Sequence, residues 1–211
     1  MDLKEDFHVH CNYNDHSAAD LTVRNVINKA ESIGLETLAF TEHVRKSSEW
    51  VPRYLDDIAS VDSRVQVISG FEAKILQDGS IDCLDKYASE HFVVASFHTV
   101  YNDKQIWIRA VERAIENPNV DVIGHIAPEP SFTLDTKEIE RLAELIASYS
   151  KKVELNAKYH RPPTEWLAVF KDNGVQFHLG SDAHSLAEIG NYQNIMDLIA
   201  IVDSKIEGLA S

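Results

Sequence analysis

Cysteine, basic residues and long apolar runs are all scarce in this sequence. Cys11 and Cys83 are its 2 cysteines, too few for a disulfide framework and suited to a reducing compartment. No apolar stretch approaches the roughly 20 residues that cross a bilayer. The opening Met1-Asp2-Leu3-Lys4-Glu5-Asp6 lacks the charge order and apolar segment of a signal peptide. The chain is therefore expected in the cytoplasm, with no membrane partner. Against 34 Asp and Glu stand only 20 Lys and Arg, a net charge of −14. That balance argues against a long nucleic-acid footprint, which rests on many basic side chains neutralising phosphates. A small substrate is expected instead, with one exception: bound divalent cations can set a local positive field whatever the global charge. With 8 Gly, 6 Pro and no low-complexity tract, disorder is excluded as well.

What remains is an ordinary folding sequence of 211 residues, 44% hydrophobic, a size at which an αβ barrel commonly forms one domain. Residues 1–211 are expected to be that single domain. Short apolar runs mark strands near 3–9, 37–42, 65–72, 91–97, 120–125, 152–156 and 175–181. Amphipathic stretches near 22–33, 52–60, 81–89, 103–116, 136–149, 163–172 and 191–206 read as helices. Thr22, Gly34, the Asp135 to Glu138 pair and Asn173-Gly174 supply helix-end signals. Seven strands each followed by a helix imply a parallel sheet, open or closed into a barrel.

The informative pattern is where the ionisable residues fall. His8 and His10, Glu42 and His43, Glu72, His98, His125, Glu154, then Asp182 and His184 stand at or just past the carboxyl ends of the expected strands. Parallel βα proteins build their sites on that edge, where the following loops converge. In His8-Val9-His10 the strand period of two sends both imidazoles to one face, and Asp182-Ala183-His184 repeats that geometry with a carboxylate, a set suited to zinc, manganese or iron. A Glu72 carboxylate at the rim of a buried strand would be costly unpaired, and cations remove that cost. His91, which begins a strand, and His178, which lies within one, are expected to be structural and to face away from the site.

These residues resemble the PHP family, named for its polymerase and histidinol phosphatase members. The motifs run in order over nearly the whole chain: His8-Val9-His10 with His16, Thr41-Glu42-His43, Gly70-Phe71-Glu72, His98, Gly124-His125 and Ser181-Asp182-Ala183-His184. The resemblance implies an α/β fold, a distorted TIM-like barrel of seven β/α units, and metal-dependent hydrolysis of a phosphate ester. It also implies that His8, His10, Glu72 and Asp182 hold one metal. Glu72 would bridge to a second held by His98 and His125, while His16, His43 and His184 would hold a third. Asp15, beside His16, is an alternative ligand. Two or three divalent ions, zinc, manganese or iron, are thus the expected cofactors, with Glu72, Asp182 and His184 as catalytic residues.

The phosphate also needs a protein clamp. The loop after the sixth strand offers Arg161, whose planar fork suits phosphate, with Lys158 and His160 as alternatives. Glu42 is expected to orient an imidazole ligand, and Tyr101 either to cover the substrate or simply to pack. A phosphomonoester such as histidinol phosphate is the expected substrate. A phosphodiester or oligonucleotide is the alternative. An amidohydrolase on a similar barrel is a further one, weakened because no strand-end lysine takes the place of its carbamylated residue. A non-catalytic metal module would be closed and commonly rich in cysteine.

Overall fold

A computed structural model of the chain describes residues 1–128 and 131–204. Seven strands, β1 (Glu5–Val9), β2 (Thr37–Val44), β3 (Gln66–Lys74), β4 (Phe92–Ser96), β5 (Val122–Ile123), β6 (Lys152–Asn156) and β7 (Gln176–Gly180), lie side by side in sequence order. Every neighbouring pair is parallel. Helices α1 (Val23–Ile33), α2 (Val51–Ala59), α3 (Asp85–Ala88), α4 (Lys104–Glu116), α5 (Thr136–Ser148) and α6 (Thr164–Asp172) make the crossovers, and α7 (Met196–Asp203) follows a 3-10 turn, Gln193–Ile195. The expected distorted TIM-like barrel is the fold.

The sheet closes on itself at its carboxyl edge. Asp182 N donates to His8 O (2.8 Å) and His10 N to Ala183 O (3.1 Å), making a parallel bridge between Val9 and Ala183. Asp6, fully buried, fastens the joint from outside: its carboxylate accepts from the backbone N–H of His8, Ser181 and Gly190. Around the barrel the strands turn apolar side chains outward against helices, where Val26, Phe40, Tyr54, Phe71, Trp107 and Phe170 are buried. A smaller cluster of Leu155, Leu167, Leu179 and Leu198 seats α6 and α7 on the last two strands.

Local chemistry explains the element ends. Thr22 caps α1 by accepting from Asn25 N, Gly34 ends it at φ 81°, and Asp135 and Glu138 form a reciprocal capping box on α5. Two expected elements are shorter than read. The helix expected over 81–89 shrinks to Asp85–Ala88, because a turn at Gly79 returns Ile81 to an antiparallel bridge with Ile75. The strand expected over 120–125 keeps two ladder residues, since His125 takes a left-handed φ of 26° that no strand continues. The last expected helix, 191–206, ends at Asp203, and its final two positions lie outside the described residues. Both cysteines are free and buried, and no helix among the described residues is long and apolar enough to cross a membrane.

The barrel floor holds a half-buried imidazole. His178 pairs in register with Glu154 and so shares its inward face, which corrects the expectation that it faces away from the site; its ring stacks on Phe7 with centroids 4.0 Å apart. Lys152 donates to its Nε2. Burial, then the Lys152 ammonium, lower the His178 pKa to about 3. The imidazole is therefore neutral when folded and gains a proton on unfolding below its ordinary 6.5. The unfolded state binds more protons in that window, so stability should fall as pH drops from about 6.5 towards 3. His178→Gln keeps an acceptor for Lys152 but does not titrate, so urea unfolding across the window should show a shallower acid loss than in the parent chain. Equal slopes would remove His178 from the acid response.

Candidate metal centre

Glu72, at the inner end of β3 and only 1% exposed, is the point on which the site converges. Gly70, two residues earlier, makes the approach possible: a β-carbon there would stand 2.4 Å from the Phe92 carbonyl oxygen on β4. Glu72 Oε1 lies 2.9 Å from His98 Nε2 and 3.1 Å from His125 Nε2. Glu72 Oε2 faces the other way, 2.8 Å from His43 Nδ1, 3.5 Å from His8 Nε2 and 3.6 Å from His10 Nε2. Five imidazoles from four strand ends thus surround one carboxylate.

Asp182 closes the far side, with Oδ1 3.3 Å from His10 Nε2. Its backbone φ is 55°, in the left-handed region that non-glycine residues rarely occupy and that recurs at ligand clamps. Three groups bring single donor atoms within reach of a common ion: His8, His10 and Asp182; His43, Glu72 and His98; and His10, His43 and His184.

The donor chemistry fits cations. His8 Nε2 and His10 Nε2 stand 3.1 Å apart, a spacing at which two protonated nitrogens would repel. Glu72 Oε2 is buried and receives no hydrogen bond, a cost that coordination removes. Against their burial, the carboxylates of Glu154, Glu72 and Asp182 raise the His8 imidazole well above its ordinary value, and those of Asp182 and Glu42 raise His10 to about 9. Protons and cations therefore compete for this pair. Burial, the largest cause at both outer imidazoles and reinforced by the charge of His10, lowers His43 and takes His184 to about 4, which favours the neutral form able to ligate. Despite burial, the charge of His98 and His8 holds Glu72 well below the usual carboxylate range.

Outer partners fix the rings. His8 Nδ1 is 2.5 Å from Glu154 Oε1, leaving Nε2 free to ligate. Glu154 Oε2 accepts from His125 N (2.7 Å) and Asn156 Nδ2 (3.1 Å), so one carboxylate orients residues of β1, β5 and β6. Gly180 leaves it room, since a β-carbon there would lie 2.1 Å from Glu154 Oε1. Glu42 is placed beside His10, with Oε1 3.5 Å from Nδ1, and accepts from Cys11 N, Cys11 Sγ and Asn14 Nδ2. Burial pushes the Cys11 thiol well above its ordinary pKa, which disfavours the thiolate form.

Other expected residues are dispersed. His16 does not join the donor groups: its side chain is 72% exposed, paired with Asp15, and its ring centroid lies 6.3 Å from that of His43. His160 turns away to Asp197 at 3.0 Å and does not line the cleft. Lys158 enters it, 2.9 Å from His184 Nδ1 and 3.4 Å from Asp182 Oδ1. Arg161 lines the same cleft, and no ion-pair partner engages its guanidinium among the described residues. Tyr101 is buried, donates to Ile75 O and packs on Phe97, a wall rather than a cover. His91 sits outside the cluster, bonded to Ser69 Oγ. The sequence reading missed Glu154's orienting role, whose one signal was its strand-end position. It also missed Lys74, which ends β3 and lines the cleft. A strand-end lysine is therefore present, although the imidazoles converge on Glu72.

The cleft above this cluster has a volume of about 1120 Å³. Residues 6–175 match the model of the PHP domain. The chain belongs to the PHP domain family. Asp182 and His184 lie just beyond the matched stretch, yet the barrel closure brings them to the same PHP site. The chain is 29% identical to "Probable phosphatase" of Acetivibrio thermocellus, over 98% of this chain and 90% of that protein. It is 26% identical to "DNA polymerase/3'-5' exonuclease PolX" of Bacillus subtilis, over 87% of this chain but 35% of that longer protein. In structure it is similar to "putative histidinol phosphatase hisK" of Listeria monocytogenes, with a TM-score of 0.71 at 17% identity, covering 89% of this chain and 97% of that one.

Glu154 offers the sharpest test of the outer partners. In Glu154→Gln the new amide must turn its N–H₂ either to His8 Nδ1 or to the donors His125 N and Asn156 Nδ2, so a donor faces a donor in both orientations. Metal affinity should fall by roughly 10- to 100-fold, read by competition with a chelator, while the circular dichroism spectrum is kept. Unchanged affinity would mean that Glu154 is only packed there.

Proposed function

We propose that this PHP chain, a phosphatase-type hydrolase, cleaves small phosphomonoesters such as histidinol phosphate with water activated on two or three divalent ions, zinc, manganese or iron. The observation that carries the proposal is the divided engagement of Glu72. One oxygen faces His98 and His125, the other faces His43, His8 and His10, the arrangement expected of a carboxylate shared between cations. His8, His10, Glu72 and Asp182 would hold one ion, and Glu72, His98 and His125 a second. His43 and His184 would hold a third, which His16 or Asp15 would have to reach from the rim. When bound, such ions lower the pKa of water towards neutrality and neutralise phosphoryl charge.

The chain's own residues supply the rest. Glu72, Asp182 and His184 border the point where nucleophile and phosphoryl group meet, and Lys158 brings a positive charge to its Asp182 side. Arg161, without a carboxylate partner among the described residues and lining the cleft, offers two parallel N–H groups to phosphoryl oxygens. A phosphodiesterase or exonuclease is the second reading, favoured by the similarity to PolX and opposed by the net charge of −14. Assay of the manganese-loaded protein on histidinol phosphate, sugar phosphates, nucleotides and short oligonucleotides decides between them. A preference for oligonucleotides would overturn the first.

Glu72→Gln keeps size and loses the shared charge. Hydrolysis should drop by at least ~100-fold, beyond what loss of an outer hydrogen bond costs a metal site, and elemental analysis should show fewer ions per chain. Full activity with full stoichiometry would refute the bridging role. Arg161→Ala should instead keep its metal and lose ~10- to 100-fold in kcat/KM, the worth of a charge-assisted pair of hydrogen bonds. Arg161→Lys should recover part of that loss. Parental kinetics in Arg161→Ala would move the phosphate contact to Lys158.

A further inference from the structure

The cleft has a second cationic pole that the reaction above does not use. Lys74 ends β3 two residues past Glu72, so it shares the inward face, and its half-buried side chain lines the cleft. Arg45 follows β2 two residues past His43 and lines the cleft too. The β2–β3 register pairs His43 with Glu72 and Val44 with Ala73, which carries Arg45 alongside Lys74. Neither side chain has an ion-pair or hydrogen-bond partner among the described residues. Two like charges set side by side without a carboxylate repel one another. In a chain with 34 acidic and 20 basic residues, that is an arrangement for receiving an anion.

Its position separates it from the first pole. The strands run in order around the ring, so β2 and β3 stand across the mouth from β6, whose loop carries Lys158 and Arg161. The metal cluster lies between. One phosphoryl group seated against the cluster and Arg161 leaves Arg45 and Lys74 unmatched. Among the described residues that line the cleft, the acids are Glu72, Asp182 and Asp15, so an anion at the second pole meets little repulsion from them.

We infer that the substrate carries a second anionic group, a phosphate or a carboxylate, bound by Arg45 and Lys74 across the cleft from the ester phosphate. The proposal rests on the phosphatase reading for its reaction, but the pole can be tested without turnover. Alkyl phosphates of equal length ending in hydroxyl, carboxylate or a second phosphate form the substrate series. The parental protein should prefer one or both anionic ends by ~10-fold or more in kcat/KM, the worth of one or two charge-assisted contacts. Which end wins identifies the source of the anion. In Lys74→Met and Arg45→Gln that preference should collapse while turnover of the hydroxyl-ended ester and metal content stay at parental values. Calorimetric binding of an alkane bisphosphonate and of the matching monophosphonate, to the same metal-loaded proteins, gives an independent readout. The bisphosphonate should bind ~10-fold tighter to the parent and equally to the variants. If no ester is hydrolysed, the phosphatase reading fails and the binding difference still decides the second pole. Hydrolysis with no discrimination among the three ends, or equal binding of the two phosphonates by the parent, overturns the second pole alone.

Discussion

A carboxylate withdrawn from water sets the terms for the whole molecule. Glu72 stands at the inner end of a central strand, where an ionised group without partners would be prohibitively costly. The chain answers with donor groups from four other strand ends: His43 from β2, His98 from β4, His125 from β5, and His8 and His10 from β1. The barrel is the device that makes such convergence possible, since only a closed ring of parallel strands points so many carboxyl ends at one axis. Residues that look structural serve the same carboxylate. Gly70 lets its strand approach β4, and Gly180 clears space for Glu154, which in turn holds His8 and His125.

The strand count, the parallel βα alternation and most of the residues that converge on Glu72 were legible in the sequence because their signals are local. An apolar run of five residues ending in a histidine carries its own message, and so does a His-x-His pair at the strand period. What was not legible depends on partners far along the chain. Asp6 reads as an ordinary charged residue at the start of β1. Its task is to accept from Ser181 N, 175 residues away, and nothing near Asp6 announces that. Glu154 was visible at a strand end, but its bond to His8 spans 146 residues. Lys74 was hidden by a boundary: β3 runs two residues past Glu72 and carries the lysine to the cleft. His16 is the reverse case: its motif position suggests a ligand, and its side chain is exposed beside Asp15.

The inner face of the barrel is divided by height. The floor is aromatic, with Phe7, Phe92 and a neutral His178 packed together, whereas the mouth is a shell of donors and charges. Aromatic packing beneath the cluster lowers the local dielectric and strengthens electrostatic contacts beside it. It also makes uncompensated charge there costly, and this, with the Lys152 ammonium, accounts for the depressed basicity of His178. One strand layer thus separates an imidazole held for its apolar body from imidazoles held for their lone pairs.

The closure between the first and last strands also has a bearing on time. During synthesis the chain offers His8 and His10 first, and Asp182 and His184 more than 170 residues later. The closed ring sets β7 against β1, with Asp182 N on His8 O, the Asp182 carboxylate within a common reach of His8 and His10, and Asp6 at its amides. The full donor set, which would discriminate among ions by geometry, therefore exists only once both ends of the chain have met.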